Sequence, residues 1–252
     1  MVAVSNMTQE VLTRVRRKLV PAGGVLRQRP RVERGWLVRL ARVAIRGDLG
    51  ETRNALESFD IEGSPSGVLL LDVLGEAARL LERWYQADRC SSTERAMGIG
   101  ALHVLARNSG RRLLGSLTPS RGCAVLVSLP GTTPSLAPVL HHLYAEAAGW
   151  RVDALEGETA DAVVTHLGTT SVDVVLISIT LAQELNALER IVRAGAQGSM
   201  NPAVCFAALA DRLQGSVARR ADRLAGGLFL DPLETHAFLR SAPFLLSPTV
   251  NA

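Results

Sequence analysis

The stretch Gly122-Cys-Ala-Val-Leu-Val-Ser-Leu-Pro-Gly131 decides how this 252-residue chain is read. Residues Ala124 to Leu129 are apolar at every position but Ser128, and Pro130-Gly131 then turns the chain. Beyond the turn, Ser135 to Ala148 has the spacing of a helix. The pattern recurs. Val152 to Leu155, Val172 to Ile179, Ala203 to Phe206 and Gly227 to Leu230 are further short apolar strands. Helical stretches lie between and after them: Thr159 to Leu167, Leu181 to Ala194, Asp211 to Leu224 and Pro232 to Arg240. Strands that are apolar throughout are buried on both faces, and their alternation with helices predicts a doubly wound parallel α/β sheet. In such sheets ligands sit at the C-terminal ends of the strands.

Upstream of Gly122 the period is helical only. Thr8 caps a stretch running to Val20 in which Val11, Leu12, Val15 and Leu19 share one face, and Pro21-Ala22-Gly23-Gly24 ends it. Further helices are expected over Val32 to Ile45, Glu51 to Phe59, Gly67 to Trp84 and Thr93 to Ala106, the last stopped by Asn108-Ser109-Gly110. The fold class is thus α plus α/β. A basic N-terminal arm spans residues 1–30, a helical bundle 31–117, and the parallel-sheet domain 122–242, with Ser116 to Arg121 as the linker.

Composition narrows the function. With 47% hydrophobic residues the chain can bury real cores. No apolar run reaches the roughly 18 residues of a membrane span. The N-terminus lacks the pattern of a secretion signal. Cys90, Cys123 and Cys205 are odd in number and widely spaced, which suits a reducing cytoplasm and makes neither a disulfide framework nor a zinc site. The net charge of +4 is unevenly placed: up to Arg46 there are eleven basic residues against two acids, so the remainder carries a surplus of five acids. Arg14, Arg16, Arg17 and Lys18 head that basic arm, whose expected role is to meet a partner protein or a second copy of the chain. Nucleic acid is the second expectation, bound through charge without sequence specificity.

Two segments then carry a resemblance. Leu69 to Leu105 reads as two helices joined by a polar turn, with Leu74-Gly75-Glu76-Ala77 and Trp84 in the first and Glu94 opening the second. Downstream stand Leu129-Pro130-Gly131, Ala148-Gly149-Trp150-Arg151-Val152 and Val174 to Thr180. In this order they resemble the cobalamin-binding module of B12-dependent photoreceptors and methyl carriers, a helical bundle followed by a Rossmann-like domain. The resemblance implies an inter-domain pocket lined by Trp84, Tyr85, Glu94, Arg95, Gly131, Thr132, Pro134, Ser178, Thr180 and Ala207. It also implies losses. Pro134 stands where the family places its cobalt-ligating histidine, and Thr132 where it places the acid that polarises that imidazole. Arg95 replaces the upper-face histidine, and Ala207-Ala208 replace a Gly-Gly turn beside the nucleotide tail.

The same residues have plainer readings. Trp84 can pack as core, and Glu94 can cap its helix near Thr93, a reading placed slightly ahead of the pocket. Gly131-Thr132-Thr133 is better taken as an ordinary helix start than as an anion site. His141 and His142 lie too far along their helix to replace a ligand at its start, one of them partly buried and one solvated. His166 and His236 are expected on helix surfaces, and the pairs Asp72/Glu76 and Glu184/Glu189 on solvated faces. No His/Cys pair has a metal spacing, and no catalytic constellation emerges. The expectation is a cytoplasmic, non-enzymatic regulatory protein on a degenerate B12-binding fold, acting through partners in transcriptional control, with no obligatory cofactor. The alternatives are a cobalamin sensor without a histidine ligand and a pocket for another tetrapyrrole or small metabolite.

Overall fold

The computed structural model describes residues 34–58, 67–113, 121–131, 135–210 and 213–241. The arm helix expected over Thr8 to Val20, most of the linker and the tail after Ser241 lie outside the described residues. The chain divides into two compact units, one of residues 26–116 with 134–143, the other of residues 1–25, 117–133 and 144–252. No described helix is long and apolar enough to cross a membrane.

The first unit is a bundle of α1 (Arg34–Ala44), α2 (Leu49–Glu57), α3 (Gly67–Gln86) and α4 (Ser92–Leu113). Gly47, at φ +74, closes α1 in the left-handed conformation that costs glycine nothing. Asp48 then caps α2 by accepting the Glu51 N–H at 2.8 Å. Leu40, Ala41, Ala44, Leu56, Leu74, Leu81, Leu102 and Leu105 form the buried interior. Gly98 lets α4 approach closely: a Cβ there would stand 2.7 Å from Leu81 Cδ1 and 3.2 Å from Ile45 Cγ2.

α4 runs past the stop expected at Asn108-Ser109-Gly110. Gly110 is not a terminator. It is the point where Leu143 packs against the helix, and a Cβ would meet Leu143 Cδ2 at 2.7 Å.

The second unit is a five-stranded parallel sheet in the order β2-β1-β3-β4-β5. Its strands are β1 (Cys123–Ser128), β2 (Arg151–Glu156), β3 (Val174–Ser178), β4 (Cys205–Leu209) and the short β5 (Leu228–Phe229). Between and after them run α5 (Ala137–Ala147), α6 (Ala160–Thr169), α7 (Leu185–Gly198), α8 (Gly215–Ala225) and α9 (Pro232–Ser241). On one face Val125, Val127, Val175, Ile177 and Phe206 pack under Val163, Leu167, Leu188, Ile191 and Ala221, from α6, α7 and α8. On the other, Leu126, Leu176 and Ala207 pack with Ala145, Phe238 and Leu239 of α5 and α9. This is the doubly wound sheet read from the sequence.

The strands are joined at their N-terminal ends by one carboxylate. Asp173 Oδ2 accepts the Cys123 N–H at 2.9 Å, and Asp173 Oδ1 accepts from Asn201 Nδ2 at 2.9 Å. The Asp173 carbonyl accepts the Cys205 N–H at 2.9 Å. Asn201 also binds the Val172 carbonyl and the Ala203 N–H. That turn delays β4, which starts at Cys205 rather than at Ala203. The last helix is closed by side chains: Trp150 Nε1 donates to the Leu239 carbonyl at 3.1 Å and Arg121 Nη1 to that of Arg240 at 2.8 Å.

Candidate functional site

The four bundle residues singled out in the sequence do stand together, at the α3–α4 turn. Asp88 enters that turn at φ 53. Trp84 is 7% exposed, with the Arg89 guanidinium 5.7 Å from its ring centroid. Tyr85 is exposed, and the Arg95 guanidinium lies 4.7 Å over its ring. Arg95 is anchored from below by Glu82, Nη1 to Oε1 at 2.7 Å, with both side chains largely buried. Its Nε is buried without a hydrogen-bond partner among the described residues. The sequence reading missed Glu82. It lies on α3 three residues before Tyr85, so the spacing that puts both on one face was available.

Glu94 caps its helix as expected, but the cap residue is Ser91, not Thr93. Glu94 Oε2 accepts the Ser91 N–H at 2.7 Å and the Ser91 hydroxyl at 2.8 Å, while the Glu94 N–H donates to Ser91 Oγ at 3.2 Å. This is a closed capping box. The Ser91 backbone N–H, and then its hydroxyl, hold the Glu94 carboxyl below the usual carboxylate range. Beside it Cys90 is buried, and burial followed by the Glu94 charge pushes its thiol up.

In the sheet unit the expected residues fall at the C-terminal ends of β1 and β3, where the strand order reverses. Ser128 and Ser178 are register partners there, and Ser178 is buried. Gly131 follows β1 at φ +75, with nothing within 4 Å of where a Cβ would be. Thr132 and Pro134 lie outside the described residues. Thr180 is already engaged: its N–H donates to Glu184 Oε2 at 2.6 Å and its hydroxyl to Glu184 Oε1 at 3.2 Å. Leu181 N–H adds a third donor at 3.0 Å. Glu184, expected on a solvated face, is therefore a buried carboxylate that fixes the loop after β3. Ala207 and Ala208 are interior strand residues with no exposure, facing opposite sides of the sheet, and make no turn. The basic residues Arg14, Arg16, Arg17 and Lys18 lie outside the described residues.

The histidines depart from expectation. His141 is fully enclosed; desolvation, then the Arg79 charge, lowers its pKa to about 3. His142 is half-buried rather than solvated. His236, expected on a surface, packs edge-on against Tyr144 at 5.9 Å, and burial lowers its pKa. His166 is likewise half-buried, with Nε2 lacking a hydrogen-bond partner among the described residues. His103 Nε2 is 2.8 Å from the Ser135 carbonyl. Among the described residues no three His, Cys, Asp or Glu side chains converge to hold a metal ion.

No known family model matches the chain, and no curated protein matches it. Solved structures do. The monomethylamine corrinoid protein of Methanosarcina barkeri superposes with a TM-score of 0.65 at 11% identity, over 83% of this chain and 99% of that one. A cobalamin-binding protein from Desulfitobacterium hafniense DCB-2 aligns at 13% identity over 84% of this chain and 98% of its own, with a TM-score of 0.45. The methanol:cobalamin methyltransferase complex MtaBC of Methanosarcina barkeri aligns at 13% identity over 84% and 81%, with a TM-score of 0.43. The first of these likenesses spans both units, and this chain has the fold of a corrinoid protein, a helical bundle followed by a Rossmann-like parallel sheet.

Proposed function

We propose that this chain is a non-enzymatic regulatory protein that keeps the corrinoid-protein fold without a histidine on cobalt, and that it acts through protein partners in transcriptional control. The observation that carries the reading is the fate of its five histidines. His103 meets a backbone carbonyl, His141 is enclosed in the bundle unit, His142 sits half-buried on α5, His166 is half-buried on α6, and His236 is stacked on Tyr144. The loop after β1 offers Thr132-Thr133-Pro134, and the amide nitrogen of a proline has no lone pair for a metal. These donors do not fit a histidine-ligated corrinoid. Arg95 and Glu94 are committed to Glu82 and Ser91, which favours a structural role for that end of the bundle.

A second reading is a corrinoid held with its own base on cobalt. The register pair Ser128/Ser178 and the open backbone at Gly131 favour it, because they leave a polar opening at the strand reversal. A carrier of methyl groups is the least favoured reading, since that chemistry needs a controlled lower axial ligand. The test is absorbance of the full chain, desalted after incubation with adenosyl-, methyl- and hydroxocobalamin and, separately, haem. The expected result is no retained species with protein imidazole on cobalt. Stoichiometric retention with that spectrum overturns the proposal, base-on retention selects the second reading, and retained haem assigns the opening to another tetrapyrrole.

A further inference from the structure

One face of α4 has no cover. Thr93, Met97, Gly100, Val104 and Arg107 follow the alternating four- and three-residue spacing of a packing seam, and all five are exposed. Met97 is 42% and Val104 40% exposed, whereas Ile99, Leu102, Leu105 and Ala106 on the other side of the helix are buried. At the middle of the seam a Cβ on Gly100 would meet nothing within 4 Å. The helix is therefore flat where a second helix could come closest. Leu49, also 40% exposed, widens the apolar area near Gly47, against which the Met97 methyl lies.

We infer that this face is where two copies of the chain pack, α4 against α4, antiparallel about Gly100. A two-fold interface must be complementary to itself, each residue of one copy meeting a different one of the other. The seam meets that demand. Met97 stands three residues before Gly100 and Val104 four after, so in an antiparallel pair each methionine lies beside the opposite valine. Glu94 stands six before and Arg107 seven after, so the carboxylate of each copy lies beside the guanidinium of the other at both ends. A parallel pair would set Glu94 against Glu94 and Arg107 against Arg107. The charge order selects both the occupant and its direction. From Thr93 to Arg107 the seam runs only about 21 Å at the helical rise. Such an area is at the low end for specific association, so the dimer forms reversibly in the micromolar range.

The experiment is sedimentation velocity of the full chain from about 1 to 100 µM, bracketing that range. The wild type shifts from monomer to dimer as concentration rises. Gly100→Lys adds a side chain to open space and improves helix propensity, so the melting temperature is kept while the midpoint of association rises at least about tenfold. Val104→Asp acts in the same direction, and removal of residues 1–24 leaves the dimer intact. A wild type that stays monomeric throughout overturns the inference. So does a dimer that Gly100→Lys leaves unchanged, or one that disappears with residues 1–24.

Discussion

Replacing Arg95 by leucine tests whether the α3–α4 end of the bundle is built for packing or for a ligand. In the native unit the Arg95 guanidinium lies 2.7 Å from Glu82, with the two side chains only 15% and 12% exposed, and it also covers Tyr85. Removing the arginine strips a mostly buried carboxylate of its cation, a change that costs about 3–5 kcal/mol in comparable pairs. The partial exposure places this pair near the lower figure. At roughly 2–4 °C per kcal/mol for a chain of this size, Arg95→Leu lowers the melting temperature by about 6–12 °C. Glu82→Leu, which leaves the guanidinium stranded, does much the same. The double variant recovers most of the loss, because neither charge is left behind and two leucines fill similar volume. Thermal unfolding by circular dichroism on the four proteins of this cycle yields the coupling directly. A single Arg95→Leu change that moves the melting temperature by less than about 2 °C while altering cobalamin or haem retention would refute the reasoning and make Arg95 a ligand residue.

Trp84→Ala should cost on the order of 3–5 kcal/mol, as large buried aromatics do, read from denaturant unfolding; unchanged stability with lost ligand retention makes it a pocket residue. Gly122→Ala should destabilise by several kcal/mol, since Gly122 has φ +150 and the new methyl would stand 2.5 Å from Asp173 Oδ2 and 3.0 Å from Trp150 Cζ3; an unperturbed melting temperature shows that the sheet base can give. His141, with its pKa lowered to about 3, is neutral when folded, while the unfolded chain takes up a proton near 6.5. The unfolded state therefore binds more protons between those values, so stability is full above pH 6.5 and is lost as pH falls towards 3, by up to about 1.4 kcal/mol per unit. His141→Leu should remove that slope from a stability-versus-pH series, and a slope that persists assigns it to other groups. Deleting Met1 to Gly24 should leave both units folded and abolish capture of partner proteins; unfolding of the truncated chain would place the arm in the core.

Much of the fold was legible because it rests on pattern. Apolar strands and helical stripes at Val125–Val127, Val175–Ile177 and Leu74–Leu81 state their burial directly, and the structure buries them. What could not be read depends on atoms brought together from afar. Asn108 and Gly110 have the composition of a helix end, yet Gly110 is small because Leu143 presses on it. Glu184 looks like a surface acid until the chain turns at Thr180 and directs two backbone N–H groups at it. Ala203 belongs by composition to a strand, but the Asn201 side chain holds its N–H in a turn. Of the candidate site, the grouping of Trp84, Tyr85, Glu94 and Arg95 could be read from helix spacing, whereas the Glu82 anchor beneath Arg95 required the packed helices.

The Asp173 staple makes the two ends of the sheet unequal. Because β1, β3 and β4 are tied together where they begin, their alignment does not depend on what the loops at their far ends contain. A loop such as Thr132-Thr133-Pro134 can exchange one chemistry for another without misaligning the strands beneath it. Loss of a metal ligand at that rim is then a local event, invisible to folding, and the same architecture can serve a chain that binds a cofactor and one that has abandoned it.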